Sequence, residues 1–503
     1  MPTNFFNLDF IRSKIAGLAV IAALLISGFI ITVVYAAPQT IVPGADWFDT
    51  NNSLIEAHGG DIIQIGNTYY WIGQDRSHNN NSFKGINCYS STDLVTWTFE
   101  NTILSPEASP SPLTSDKIVA RPKLIYNSAN NNYVMWFKYR DPNGPAPNMK
   151  AGVATSPTVC GNYTLQNIFF PTVNNVKHYA GDNQLFLDDD GTGYYIISSV
   201  GEVGPGGEGT YANGSGNNRH LKIFKLNNSF TNVIDLVYEF PVESVKRERR
   251  EGPAIAKMNG TYFIIASGTT GWTPNQSRYS SASSMTGPWS SWQDIGDNVT
   301  YDSQPMAIIT VSGSNATTYI YAGDRHVGSN LIDSRYVWLP LTANGTTLTM
   351  DWYDAWSIDT VTGEWNVPVG PTTYEAEDAI NTLTGTAKTV SCSTASGGVT
   401  VNKLGSGGSN NGTLQFNNVN VPTAGTYHLT ISYISKYNRS ANIRINGNAP
   451  QTVNFPSSGN WCYKGGSPSD LTISITLNAG NNTILFDNPS ANAPVIDKIV
   501  VEQ

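Results

Sequence analysis

The chain has 503 residues, 29 lysines and arginines against 38 aspartates and glutamates, and a formal net charge of -9. Its few basic residues form no long stripe, so a phosphate backbone would be repelled, which argues against nucleic acid as a partner. Only 13% of residues are charged, while Gly, Asn, Ser, Thr and aromatics abound, a composition suited to short strands joined by turns; the class expected is all-β, and the length points to two domains.

The chain opens with Arg12 and Lys14, followed by an uncharged apolar run from Ile15 to Tyr35 and then Ala36-Ala37-Pro38. Residues 1-37 read as an export segment, either a signal peptide cleaved after Ala36 or a retained signal anchor, because the run is long enough to span a bilayer. The remainder is expected to be secreted, or to face the outside or the secretory lumen, with the membrane met only through this segment. Cysteines in such a compartment tend to pair. Cys88 with Cys160 and Cys392 with Cys462 is the simplest scheme, although the other two connectivities stay open.

A strand signature then recurs, a Gly or Asn turn followed by an aromatic-rich apolar run: Gly66-Asn-Thr-Tyr-Tyr-Trp, Asn132-Tyr-Val-Met-Trp-Phe, Gly193-Tyr-Tyr-Ile-Ile, Gly260-Thr-Tyr-Phe-Ile-Ile and Thr318-Tyr-Ile-Tyr-Ala. From Tyr69 through Tyr133, Tyr194 and Tyr262 to Tyr319 the steps are 64, 61, 68 and 57 residues. Five units of similar length predict a five-bladed β-propeller. The repeat ends after Trp356, and the stretch Val367-Pro-Val-Gly-Pro marks the boundary between a propeller at 38-369 and a second domain at 370-503. There, alternating runs such as Thr426-Tyr-His-Leu-Thr-Ile-Ser-Tyr predict a β-sandwich of jelly-roll type.

The stretches Ala57-His-Gly-Gly-Asp, Gln74-Asp-Arg-Ser-His, Arg121-Pro-Lys, Glu251-Gly-Pro-Ala-Ile, Ala266-Ser-Gly-Thr-Thr-Gly-Trp and Tyr321-Ala-Gly-Asp-Arg span the repeats. Together they resemble glycoside hydrolase family 43, in particular its exo-β-1,3-galactanase branch. By position the resemblance implies Glu251 as general acid, Asp182 as the residue that raises its pKa, and Gln304 as the amide that positions water. It also implies sugar contacts from Gln74, Arg121, Thr269, Gly271 and Trp272. The family's usual aspartate base falls on Gly59, and Asp61, two residues on, reads as a strand-edge residue. The branch has glutamates where this chain has Ala120 and Gln74, so two carboxylates are missing from the expected pocket.

The second domain, with Tyr374-Glu-Ala-Glu near its start and Val495-Ile-Asp-Lys-Ile-Val near its end, resembles carbohydrate-binding module family 35. The resemblance implies a structural Ca²⁺ held by Glu375, Glu377 and Asp497, hard oxygen ligands on neighbouring strands, and no cofactor for catalysis. Tyr437, Arg439 and Asn492 are candidates for sugar contact. The function implied is inverting, exo-acting release of galactose from β-1,3-galactan or arabinogalactan by a monomer. The alternatives are a galactan-binding protein with little hydrolysis and an arabinofuranosidase or xylosidase of the same family.

Overall fold

The computed structural model describes residues 40-502 except 212-218, 244, 368-369, 406-410 and 423. The segment expected to direct export lies outside the described residues, and the expected boundary after residue 369 falls on two of the undescribed ones. No helix among the described residues is long and apolar enough to cross a membrane.

Five four-stranded antiparallel sheets follow one another among the described residues. The first consists of His58–Ile65, Thr68–Gln74, Ile86–Ser91 and Thr98–Leu104, paired in chain order. The first strands of the other four are Ile118–Asn127, Asn183–Leu187, Glu251–Met258 and Gln304–Ser312. Each first strand lies beside that of the next sheet, and the fifth returns to the first, so the sheets close a ring. This is the propeller expected from the repeat.

The apolar runs are unbroken because both faces of each sheet are covered. In Asn132–Arg140, Met135 and Phe137 pack toward the first sheet with Ile72, Ile86 and Cys88. Val134 and Trp136, on the opposite face, pack toward the third with Tyr195 and Phe224. The core between the fifth and first sheets is the most aromatic: the Trp71 ring lies 4.5 Å from Tyr336, 5.0 Å from Trp338 and 5.3 Å from Trp97. Against this seam, Thr40–Ile41 pairs with Trp356–Ile358, tying the start of the described chain to the end of the repeats. A disulfide joins Cys88 of the first sheet to Cys160 beyond the third strand of the second, and another joins Cys392 to Cys462. Both follow the simplest sequence scheme.

Residues from Thr372 onward build two further antiparallel sheets, of six and five strands among the described residues. Gly425–Ile434 and Val495–Glu502 pair at the centre of one, and Thr413–Val421 with Gly480–Asp487 in the other. Phe416, Phe486, Tyr427 and Leu429 fill the core between them, the sandwich expected from the alternation.

Trp71 is fully buried in the seam that closes the ring. Trp71→Ala is expected to destabilise the propeller by about 3–5 kcal/mol, read as a lowered midpoint in urea unfolding.

Candidate active site

Four of the five first strands share a local irregularity at their start. The register with the second strand breaks between His58 and Asp61, Ala120 and Lys123, Glu251 and Ala254, and Pro305 and Ala307. In three of them the residue at the break has positive φ: Gly59 at 60°, Arg121 at 55° and Gly252 at 59°. Such bulges bend a strand and re-aim its side chains. They bring the strand-leading residues Ala120, Glu251 and Gln304 to one end of the ring, with Gln74 and Lys138 across the ladder from strand starts, and all five line a cavity of about 280 Å³. Glycine at 252 has a second cause, since a Cβ there would lie 3.1 Å from Gln304 Cγ and 3.2 Å from the Pro305 carbonyl.

Asp182 and Glu251 are the carboxylates of this cavity. Asp182 Oδ1 lies 2.9 Å from Lys138 Nζ and its Oδ2 3.7 Å from Arg121 Nη2. Burial opposes its charge, but Lys138, Arg121 and Arg219 outweigh burial and hold its pKa well below the usual range. Glu251 differs: burial pushes its pKa up, Arg219 at 3.4 Å pulls it back, and the charge of Asp182 adds to the rise. Neighbouring carboxyls with pKa values driven apart divide the roles of proton holder and permanent anion.

Gln304 is oriented by its partners. Its Oε1 accepts from Arg121 Nη2 and lies 3.3 Å from His326 Nε2, while its Nε2 donates to Ser267 Oγ at 2.9 Å and to Glu251 Oε1 at 3.3 Å. Arg76 Nη1 donates to His326 Nδ1 at 3.0 Å. Burial and the Arg76 charge depress the pKa of His326 and keep it neutral, so the ring proton sits on Nε2 and points at Gln304. All hydrogen-bonding positions of the Gln304 amide are thereby engaged. Among the described residues, neither side-chain polar atom of buried Gln74 has a hydrogen-bond partner.

Among the residues expected from sequence, Gln74, Arg121, Asp182, Glu251, Gly271, Trp272 and Gln304 line this cavity. Trp272 is 42% exposed and offers its face beside Arg76, whose guanidinium lies 5.6 Å from the ring. Thr269 does not line it; its hydroxyl and amide both donate to the Lys246 carbonyl, at 3.0 and 3.1 Å. Asp61 stands on the edge strand of the first sheet, as expected. It is buried, accepts from the Ile62 and Leu124 amides, and lines a separate cavity with Gln184 and Leu185. Gly59 leaves tight room for any larger residue, since a Cβ would meet Arg121 Cδ at 3.1 Å. Lys138, Arg140, Arg219, Arg76 and His326 were not singled out in sequence. Lys138 and Arg140 carried a signal, the two-residue spacing that puts both on one strand face.

In the second domain, Arg439 and Asn492 line a cavity of about 460 Å³ with Trp461 and Tyr463, aromatics missed in sequence although they flank Cys462. The Arg439 guanidinium lies 4.7 Å from the Trp461 ring. Tyr437 is outside that lining, packed edge-on to Trp461 at 6.2 Å. Glu375, Glu377 and Asp497 each leave one buried oxygen without a hydrogen-bond partner. Burial raises the pKa values of Glu377 and Asp497, and the Glu375 charge adds to both. Unpartnered, mutually repelling carboxylates suit a hard cation, although among the described residues no three such groups close a metal shell by themselves.

Asp182→Asn removes a negative neighbour of Glu251 and unpairs two cations, so the Glu251 pKa is expected to fall, whereas Arg219→Gln should raise it. Carbon NMR titration of the Glu251 carboxyl, assigned against Glu251→Gln, reads both directions.

Comparison with known proteins agrees with this architecture. The model for glycosyl hydrolases family 43 matches residues 55-319, and that for carbohydrate binding module family 35 matches residues 372-496. The chain is 35% identical to an exo-β-1,3-galactanase of Phanerochaete chrysosporium solved with β-1,3-galactotriose, over 92% of this chain and 100% of that one, with a TM-score of 0.58. It is 25% identical to an exo-β-1,3-galactanase of Clostridium thermocellum over 91% and 99% of the two chains, with a TM-score of 0.58. It is also 27% identical over 240 residues to a β-D-galactofuranosidase of Aspergillus niger, 45% of this chain and 62% of that protein. The chain thus spans between half and two thirds of the length of the curated relatives it matches. With a matching model over more than half its length and the propeller that carries it, the chain belongs to glycosyl hydrolase family 43.

Proposed function

We propose that this protein is an exo-acting, inverting glycosidase that releases galactose from β-1,3-galactan, including such chains in arabinogalactan. The observation that carries the reading is Glu251, a half-buried carboxyl of raised pKa in the cavity at one end of the ring, beside Asp182, whose pKa its cations hold low. A raised pKa favours the protonated form that the departing glycosidic oxygen requires. The similar Phanerochaete enzyme was solved with galactose and with β-1,3-galactotriose, which supports galactose as the unit held here.

In this reading Glu251 donates the proton, Asp182 sustains its pKa, and the Trp272 face receives the terminal pyranose. Gln304 holds Glu251 in place. It can orient water only by giving up one of its two 3.3 Å contacts, the weakest it makes. A neutral amide does not accept the proton of that water, and Gly59 offers no base. Product analysis on β-1,3-galactan is expected to yield free galactose, with turnover in Glu251→Gln lowered about 10²–10⁴-fold. No release by the parent with binding retained would favour the second reading, a galactan-binding protein, whose support is Ala120, Gln74 and Gly59 where carboxylates are expected. Faster turnover of aryl arabinosides or xylosides would favour the third.

The second domain serves as a carbohydrate-binding module in this proposal, with Arg439, Trp461 and Asn492 at its cavity and a structural Ca²⁺ on Glu375, Glu377 and Asp497. Both disulfides are consistent with an exported protein. Calcium is expected to raise the unfolding temperature of the protein in calorimetry, by the equivalent of about 2.7 kcal/mol at a hundredfold excess over Kd, and Asp497→Ala should remove the response.

A further inference from the structure

The chain is acidic overall, with 38 acidic against 29 basic residues, yet its catalytic cavity has the opposite sign. Arg76, Arg121, Lys138, Arg140 and Arg219 line it, against the carboxylates of Asp182 and Glu251. Once Glu251 holds the proton it is to donate, Asp182 is the remaining lining anion. The surplus is not spread evenly. Arg76 is offset from behind by Asp324 and Glu56, Arg219 faces Glu251 at 3.4 Å, and Lys138 and Arg121 share Asp182. Arg140 has no ion-pair partner among the described residues, and it is exposed at the rim.

Arg140 and Lys138 stand on one face of Asn132–Arg140, opposite Ile118 and Ala120 respectively in the ladder. This wall therefore presents two cations side by side over the small Ala120. Gln74 in the same cavity, 1% exposed, adds a buried amide whose donor and acceptor both lack a partner. A hydroxyl alone leaves this wall undercompensated, because Lys138 already shares its one anion, Asp182, with Arg121, and a neutral ligand that displaces water from Arg140 supplies no charge in return. A sulfate or carboxylate supplies it and matches the guanidinium fork.

We infer that the terminal sugar accepted by this cavity carries an anionic substituent, a sulfate ester or a uronate carboxylate, bound at the Lys138–Arg140 wall over Ala120. The inference deepens the glycosidase reading and rests on it for the site's occupant. The substituent is held, not transferred, so the glycosidic chemistry is unchanged. The positive cleft in an acidic molecule also concentrates anionic chain ends.

The test separates binding from turnover. Titration calorimetry of the full-length Glu251→Gln protein compares β-1,3-galactobiose, its 6′-O-sulfate, and glucuronosyl-β-1,3-galactose at 50 and 300 mM NaCl. At least one anionic disaccharide is expected to bind about tenfold or more tighter than the neutral one, with an advantage that shrinks at high salt. The sulfate and uronate arms distinguish the two sources of charge. Arg140→Gln is expected to cut the anionic-to-neutral affinity ratio by about tenfold, and Arg140→Lys to restore part of it. Equal or tighter binding of the neutral sugar, or a ratio indifferent to salt and to Arg140→Gln, overturns the inference. Failure of the parent protein to hydrolyse any of the three, with anion-selective binding intact, would refute the glycosidase reading and leave the anion site standing.

Discussion

At one end of the propeller the guanidinium of Arg121 connects elements of several sheets. Nη1 donates to the Pro305 carbonyl at 2.8 Å, Nη2 donates to Gln304 and lies 3.7 Å from Asp182, and the Arg121 carbonyl accepts from Asn183 at 3.2 Å. The residue does this from a backbone with φ of 55°, which costs an arginine of order 1–3 kcal/mol and persists where its surroundings over-determine it. Strand starts at a propeller axis expose carbonyls that cannot all pair with neighbours. A buried cation satisfies several of them, and Lys123 repeats the device one step deeper, donating to the Gly60 and Met306 carbonyls. Burial lowers the pKa of Lys123 to about 8, with Asp61 acting against that fall.

The same axial cations divide the labour of the two carboxyls. Asp182 sits among Lys138, Arg121 and Arg219 and stays ionised, whereas Glu251, facing Arg219 and the neutral Gln304, is dominated by desolvation. Hydrogen bonds from Gln304 and the neutral ring of His326 fix the geometry without adding charge. The fork in pKa therefore comes from where the cations stand. Sequence neighbours do not set it: Arg250, adjacent to Glu251, turns away to bond the carbonyls of Arg247 and Glu248 and to lie 5.4 Å from Trp292.

Family membership and the particular chemistry of this chain rest on different residues. The register breaks at the strand starts, Glu251-Gly252-Pro253 among them, shape the frame of the site. Ala120, Gln74, Lys138 and Arg140 line its cavity from paired strand positions. A pair of residues facing each other across a ladder can be exchanged without altering register, because the backbone hydrogen bonds are indifferent to the side chains above them.

The amino-acid sequence left three cysteine pairings open, but by itself determined the repeat and the sandwich and, through its resemblance, pointed to Glu251, Asp182, Gln304 and Trp272. These are written in local patterns: a period of about 60 residues, two-residue alternation, and short motifs that keep their spacing. What the tertiary structure decided depends on side chains from different sheets converging at one end of a ring. Thr269 is turned to the Lys246 carbonyl, Asp61 is buried in a separate cavity, Tyr437 packs beside a cavity it does not line, and Gln304 has no bonding position left unengaged. The cluster of Lys138, Arg140 and Arg219 with Glu251 was equally hidden, since its members are separated by up to 113 residues in sequence. Charge balance in a cavity is a sum over distances, and one-dimensional spacing carries no information about distances across an axis.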